Sequence, residues 1–239
     1  MSYVLGYIVA DGNIGVRKKA KYNPLILNIT SRDKRHLDRI KKVLNSKHKI
    51  SKKPSGNSEK TAYQIQISNP NITNDLTKLG ILPRKTYNLN FIKIPKKFFS
   101  DFVRGFFDGD GTVYIYRVNR TSQIKASFGN PTPSFFTEFC RELCKRLIIP
   151  PKTIHEDMGS RRKIPFYYID FYIDGCKKLA EFMYGSNPTL YLPRKRRVFE
   201  RWKSIKRRHY IKRNYPSKIG WRLNQKVFAE KPSKNSHKS

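Results

Sequence analysis

Acidic side chains are scarce: 17 Asp and Glu stand against 51 Lys and Arg in a chain of 239 residues, leaving a formal charge of +34 and a pI near 10.3. Such an imbalance excludes an ordinary near-neutral enzyme and points to a polyanionic partner. Long hydrophobic runs are also missing. The longest, Tyr3 to Ala10, has eight residues, against about 20 for a bilayer span, and it lacks the basic flank of a secretory segment. No membrane partner is expected, and the protein is expected to be intracellular, in a prokaryotic cytoplasm or an organelle matrix. Cys140, Cys144 and Cys176 make no C-x-x-C pair, which excludes a disulfide framework or a zinc site. The five histidines include no H-x-x-x-H pair, and no G-x-x-x-x-G-K run offers a phosphate loop. What remains is 38% hydrophobic and 13% aromatic, enough for one large or two small cores.

The chain reads twice. Val4 to Gly12 and Val103 to Gly111 are each a short apolar helix ending in Asp-Gly, with Asp11 and Asp110 at matching places. Two strand candidates follow each helix, Ile14–Lys21 and Leu25–Thr30, then Thr112–Val118 and Gln123–Phe128. Amphipathic helices come next, Asp33–Leu44 and Pro133–Leu147, the second started by Thr132 before proline. The clearer later strands are Thr61–Ser68 and Phe166–Ile173, and the last helices are Pro70–Leu79 and Gly175–Tyr184. Leu82-Pro83-Arg84-Lys85 returns as Leu192-Pro193-Arg194-Lys195. The fold class is therefore α+β, two pseudo-symmetric αββαββα halves, divided as residues 1–97, 98–209 and a basic tail 210–239 expected to be poorly ordered or to contact the partner. A further helix-like run covers Arg194 to Arg208.

In each motif helix a small residue recurs four positions on, Gly6 with Ala10 and Gly105 with Gly109. That stripe lets two helix backbones approach closely. Asp11 and Asp110 would then meet at the negative ends of two helix dipoles, a placement that demands a cation. Two carboxylates with the carbonyl oxygens of Ala10 and Gly109 form an all-oxygen set suited to magnesium. An EF-hand is excluded, because the run from Asp108 lacks the glutamate twelve positions along.

These two segments resemble the motif helices of the LAGLIDADG homing endonucleases in their single-chain form, over roughly residues 1 to 209. The resemblance implies motif helices packed at an interface, and curved antiparallel sheets that form a saddle in the DNA major groove. It implies that Asp11 and Asp110 bind Mg2+ or Mn2+, with Ca2+ able to occupy the site without supporting cleavage. Val9 departs from the pattern, standing where the second copy has Asp108. A basic residue near the end of each half is implied to order water or stabilise the transition state; Lys85 and Lys195 occupy suitable places, with Arg84 and Arg194 as rivals.

Alternation along the strands predicts the DNA-facing rows. Asn28 and Thr30, with Gln64 and Gln66, oppose the apolar residues of the first half. Gln123, Lys125 and Ser127, with Tyr168, Asp170 and Tyr172, do so in the second. The faces of Thr112–Val118 are not decided by pattern. Taken with the resemblance, these features predict a monomeric, intron-encoded enzyme that cuts both strands of a long DNA target by metal-dependent hydrolysis. An intron RNA maturase and a non-cleaving DNA-binding regulator of the same fold are the alternatives.

Overall fold

The computed structural model describes residues 1–17, 25–53, 61–119, 121–159 and 164–214. The first half runs α1 (Ser2–Asp11), β1 (Gly12–Val16), β2 (Leu25–Ser31), α2 (Lys34–Val43), β3 (Ile50–Lys53), β4 (Ala62–Ile67), α3 (Pro70–Lys78) and a single turn α4 (Lys85–Asn88). After a 3-10 turn at Lys96–Phe98, the second half runs α5 (Phe99–Asp110), β5 (Thr112–Val118), β6 (Thr121–Asn130), α6 (Pro133–Leu147), β7 (His155–Asp157), β8 (Phe166–Phe171), α7 (Ile173–Tyr184) and α8 (Pro193–Asn214). Each half holds a four-stranded antiparallel sheet, ordered β1-β2-β4-β3 and β5-β6-β8-β7. The repetition expected from sequence is thus present in the strand order.

Helix starts follow local chemistry. Asp33 caps α2 by accepting the His36 amide at 3.1 Å, and Asn69 caps α3 by accepting the Ile72 amide at 3.2 Å. Gly80, at φ +80, ends α3 with its amide on Thr77 and the Ile81 amide on Leu76, the paired bonds that a left-handed residue permits. The two cores differ in kind. Ile14, Leu27, Ile29, Leu37, Ile40, Ile65 and Ile67 fill the first, whereas Phe106, Phe128, Phe135, Phe139 and Phe171 fill the second, with Phe106 and Phe139 edge to face at 4.8 Å.

Three sequence expectations are corrected. Within the described residues β1 stops at Val16 instead of running to Lys21; residues 18 to 21 lie outside them. The strand expected to reach Ile173 stops at Phe171, because Tyr172 takes the N-cap of α7. The last helix runs on to Asn214, so the start of the supposed tail is helical; residues 215–239 lie outside the described set.

Candidate active site and nucleic-acid face

The motif helices α1 and α5 pack backbone to backbone. A Cβ on Gly6 would collide with the Phe102 carbonyl oxygen and stand 2.8 Å from the Phe106 nitrogen. One on Gly105 would collide with the Tyr3 carbonyl oxygen and stand 3.0 Å from the Tyr7 nitrogen. Phe102 and Phe106 follow Tyr3 and Tyr7 by 99 residues, so this is one contact seen from both sides of a pseudo-dyad. Gly109 leaves the space that the Ala10 methyl fills. Each helix then passes directly into a strand through Gly12 or Gly111, both extended (φ −79 and −70), where a side chain would strike the Ile8 or Phe107 carbonyl.

This packing brings Asp11 and Asp110 together. Burial pushes the Asp110 carboxyl up to about 6, the charge of Asp11 adds to the rise, and Lys85 and Lys195 oppose it. Asp11 reaches the surface, yet the dense protein beneath it raises its carboxyl too, against Lys195, Tyr7, Lys85 and Arg194. Among the described residues no three His, Cys, Asp or Glu side chains converge. The two aspartates are therefore the anionic part of the site.

The lysines occupy the helix ends. Lys85 Nζ donates to the carbonyls of Val9 and, at 3.0 Å, Ala10. Lys195 Nζ donates to the matching carbonyls of Asp108 at 2.9 Å and Gly109 at 3.3 Å, and also to those of Phe107 and Gly111, both at 2.5 Å. Burial lowers both ammonium groups to about 8, while the neighbouring aspartates pull them back up. The carbonyls of Ala10 and Gly109, expected among metal ligands, are thus engaged by lysine.

Asp108 fills the place that Val9 leaves apolar in the first copy. Its Oδ2 accepts from the Tyr3 hydroxyl and the Leu192 amide, each at 2.7 Å, while its Oδ1 has no partner. Tyr3 in turn accepts from His36 Nε2 at 3.0 Å, which ties α2, α1, α5 and the start of α8 in one buried chain. Burial lifts Asp108 to about 6 and lowers His36 to about 4. Arg104, also buried, donates to the carbonyls of Leu190 (2.9 Å) and Met183 (2.8 Å) and pairs with Asp101.

On the sheets, Asn28 pairs with Gln66 and Thr30 with Gln64. Gln66 donates to Asn28 Oδ1 at 2.9 Å, so these amides form one connected row. In the second half Asp170 accepts from Lys125 at 2.7 Å and from Ser127 at 2.5 Å. Lys125 sits 5.8 Å from the Tyr172 ring, which keeps that residue on the same face although it has left the strand. Gln123 pairs with Tyr116, and Tyr168 pairs with His155, their rings stacked at 5.2 Å. Register settles the undecided strand: Thr112, Tyr114 and Tyr116 oppose Ser127, Lys125 and Gln123 and share their face. Sequence reasoning also passed over Arg32, Lys34 and Arg35, which line a cleft of about 1000 Å³ beside Asp11 with Arg194. Aligning the two copies residue by residue would have exposed them, since their counterparts are uncharged.

No protein-family model matches the chain, and no curated protein matches it. Solved structures do, and they define the class: the chain has the fold of the LAGLIDADG homing endonucleases in single-chain, two-repeat form. I-GzeII in complex with its DNA target aligns over 98% of this chain and 99% of its own, with a TM-score of 0.57 at 12% identity. The meganuclease I-SmaMI bound to uncleavable DNA gives 0.59 at 17% identity over 94% of each chain. I-LtrWI bound to target DNA gives 0.57 at 13% over 95% of each. Identities this low carry the fold; the roles of residues rest on the side chains themselves.

Proposed function

We propose that the protein is a site-specific, monomeric DNA endonuclease that breaks both strands of a long double-stranded target by divalent-metal-dependent hydrolysis. The observation that carries this reading is the meeting of Asp11 and Asp110, one from each repeat, at the paired ends of two backbone-packed helices. Burial raises both carboxyls and the charge of Asp11 raises Asp110 further, so a bound cation would stabilise the paired anions. Their donor set is all oxygen, which fits Mg2+ or Mn2+ and admits Ca2+. Such an ion, when bound, supplies Lewis-acid stabilisation of charge developing on phosphoryl oxygens.

The chain's own residues do the rest. Asp11 and Asp110, one from each repeat, would hold the ion, and each strand meets one repeat. Lys85 and Lys195, fixed by helix-end carbonyls, keep positive charge beside the reacting phosphates and lock the carboxylates' backbone in place. Asn28, Thr30, Gln64 and Gln66 in one half, and Gln123, Lys125, Ser127, Tyr168, Asp170 and Tyr172 in the other, face the base edges, where amides suit adenine and lysine suits guanine. An intron reading frame, expressed in a prokaryotic cell or an organelle, is the source this activity suggests.

The test is selection of cleaved sites from a randomised duplex library in Mg2+, with Ca2+ and chelator as controls. Asp11→Asn and Asp110→Asn should each lose double-strand cleavage by at least about 100-fold and still bind the selected site. Cutting retained by either variant removes that aspartate from the mechanism; cutting retained in chelator removes the metal.

A further inference from the structure

We infer that Arg32, Lys34, Arg35 and Arg194 form a phosphate-gripping cluster that serves only one of the two DNA strands, so that the protein cuts its strands at unequal rates. The inference rests on the endonuclease reading above. The four side chains are exposed and line the cleft beside Asp11. No ion pair among the described residues engages them. Asp33, the other carboxylate on the cleft, is committed to the His36 amide. Three guanidinium groups and an ammonium are thus left to meet an anion, and guanidinium matches phosphate in a two-pronged fork.

At the matching place in the other half, no such cluster stands among the described residues. Residues 99 positions on from Arg32, Lys34 and Arg35 are Pro131, Pro133 and Ser134. The offset is sound, because the N-caps Asp33 and Thr132 obey it and so do the central strand residues Ile29 and Phe128. Moreover, the segment joining the halves lies over that place: Ser134 donates to the Leu89 carbonyl at 3.1 Å, and Phe91 packs 6.2 Å from Phe135. The hollow there is about 620 Å³ and offers one cation, Lys93, beside Glu138. The pseudo-dyad is therefore kept in backbone, aspartates and the repeated Arg84 and Arg194, and broken at Arg32, Lys34 and Arg35, whose counterparts carry no charge. Cations aimed at a reacting phosphate stabilise its transition state, and the strand on the Asp11 side receives three more of them.

A duplex bearing a selected site, with its strands labelled by different dyes, is followed on denaturing gels. Wild type should cut one strand about ten-fold faster, so that a singly nicked duplex accumulates with its break always in that strand. Arg32→Gln/Arg35→Gln together, and Arg194→Gln separately, should slow that strand by about ten-fold and the other by less than about two-fold. Lys93→Gln should move neither. Unfolding midpoints of these surface variants verify folding, and two independent variants guard against loss of either. Equal strand rates in wild type, or variants that slow both strands alike, overturn the inference and leave the endonuclease intact. Weaker binding with an unchanged strand ratio also overturns it. Failure of wild type to cut any library member overturns the endonuclease reading itself.

Discussion

Gly105→Ala is the most direct test of how the two halves meet. The added Cβ points at the Tyr3 carbonyl oxygen, a backbone atom that no rotamer change can move. A carbon needs about 3.3 Å from such an oxygen, so α1 and α5 must part by on the order of 1 Å. Overpacking of this kind costs about 1–3 kcal/mol, and with both partners backbone the upper end applies. Displacing reacting groups by about 1 Å costs on the order of 100-fold in rate. Urea unfolding should therefore show a loss of roughly 3 kcal/mol, and two-strand cleavage should fall by about two orders of magnitude. Gly6→Ala should behave alike, because the contact is reciprocal. Gly80→Ala is the control: its Cβ meets nothing within 4 Å, and only its positive φ is strained, at about 1 kcal/mol with cleavage unaffected. If Gly105→Ala matched that control in both stability and cutting, close backbone packing would not be what joins the halves.

Tyr3→Phe removes the hydroxyl that bridges His36 and Asp108, leaving buried His36 Nε2 unpaired and Asp108 Oδ2 with the Leu192 amide alone, so it should cost about 2 kcal/mol in equilibrium denaturation. Asp110→Asn should stabilise the protein at neutral pH. The wild-type carboxyl is raised from 3.8 to about 6 by burial and by the charge of Asp11, so its contribution is intact below pH 3.8 and is lost as pH rises through 6. The variant escapes that loss, and its advantage should grow between pH 4 and 6 to on the order of 1–2 kcal/mol, read from unfolding curves at each pH. A constant difference across that range would mean that burial and the charge of Asp11 do not raise this carboxyl.

Much of this architecture was legible in the letters. α6 begins at Pro133 and ends at Leu147 as expected, because Thr132-Pro133 is a strong start and apolar residues keep helical spacing throughout. The end of β8 was not legible. Ile169, Phe171 and Ile173 continue the strand's alternation, yet Ile173 belongs to the turn of helix that leads to Cys176; periods of 2 and 3.6 cannot be told apart over three residues. Likewise no pattern within Thr112–Val118 distinguishes its faces, since Tyr114 and Ile115 both suit a strand. Pairing with Lys125 decides it, and pairing is a property of the partner strand. The basic cluster beside Asp11 was hidden in a population of 51 basic residues, where only comparison with the uncharged counterparts in the second copy sets Arg32, Lys34 and Arg35 apart.

Lysine supplies the cation that each motif helix needs at its C-terminus, and this separates folding from metal binding. Lys85 and Lys195 already satisfy the helix-end carbonyls, so the fold does not depend on a divalent ion to neutralise them. The charge of Asp11 still raises Asp110 against the pull of Lys85 and Lys195, and a divalent ion held by the two carboxylates would relieve it further. Chelator should therefore leave the unfolding midpoint of the metal-free protein unchanged, whereas 10 mM Mg2+ or Ca2+, roughly 100 times a weak site's dissociation constant, should add about 2.7 kcal/mol. That gain requires both carboxylates ionised. With Asp110 titrating near 6, it should be present at pH 7.5 and largely gone at pH 5, as protons compete for the same oxygens. Thermal shifts at the two pH values, for wild type and Asp110→Asn, decide the matter. An equal shift at both pH values, or an undiminished one in the variant, would place the ion elsewhere and leave the paired aspartates without the partner their electrostatics require.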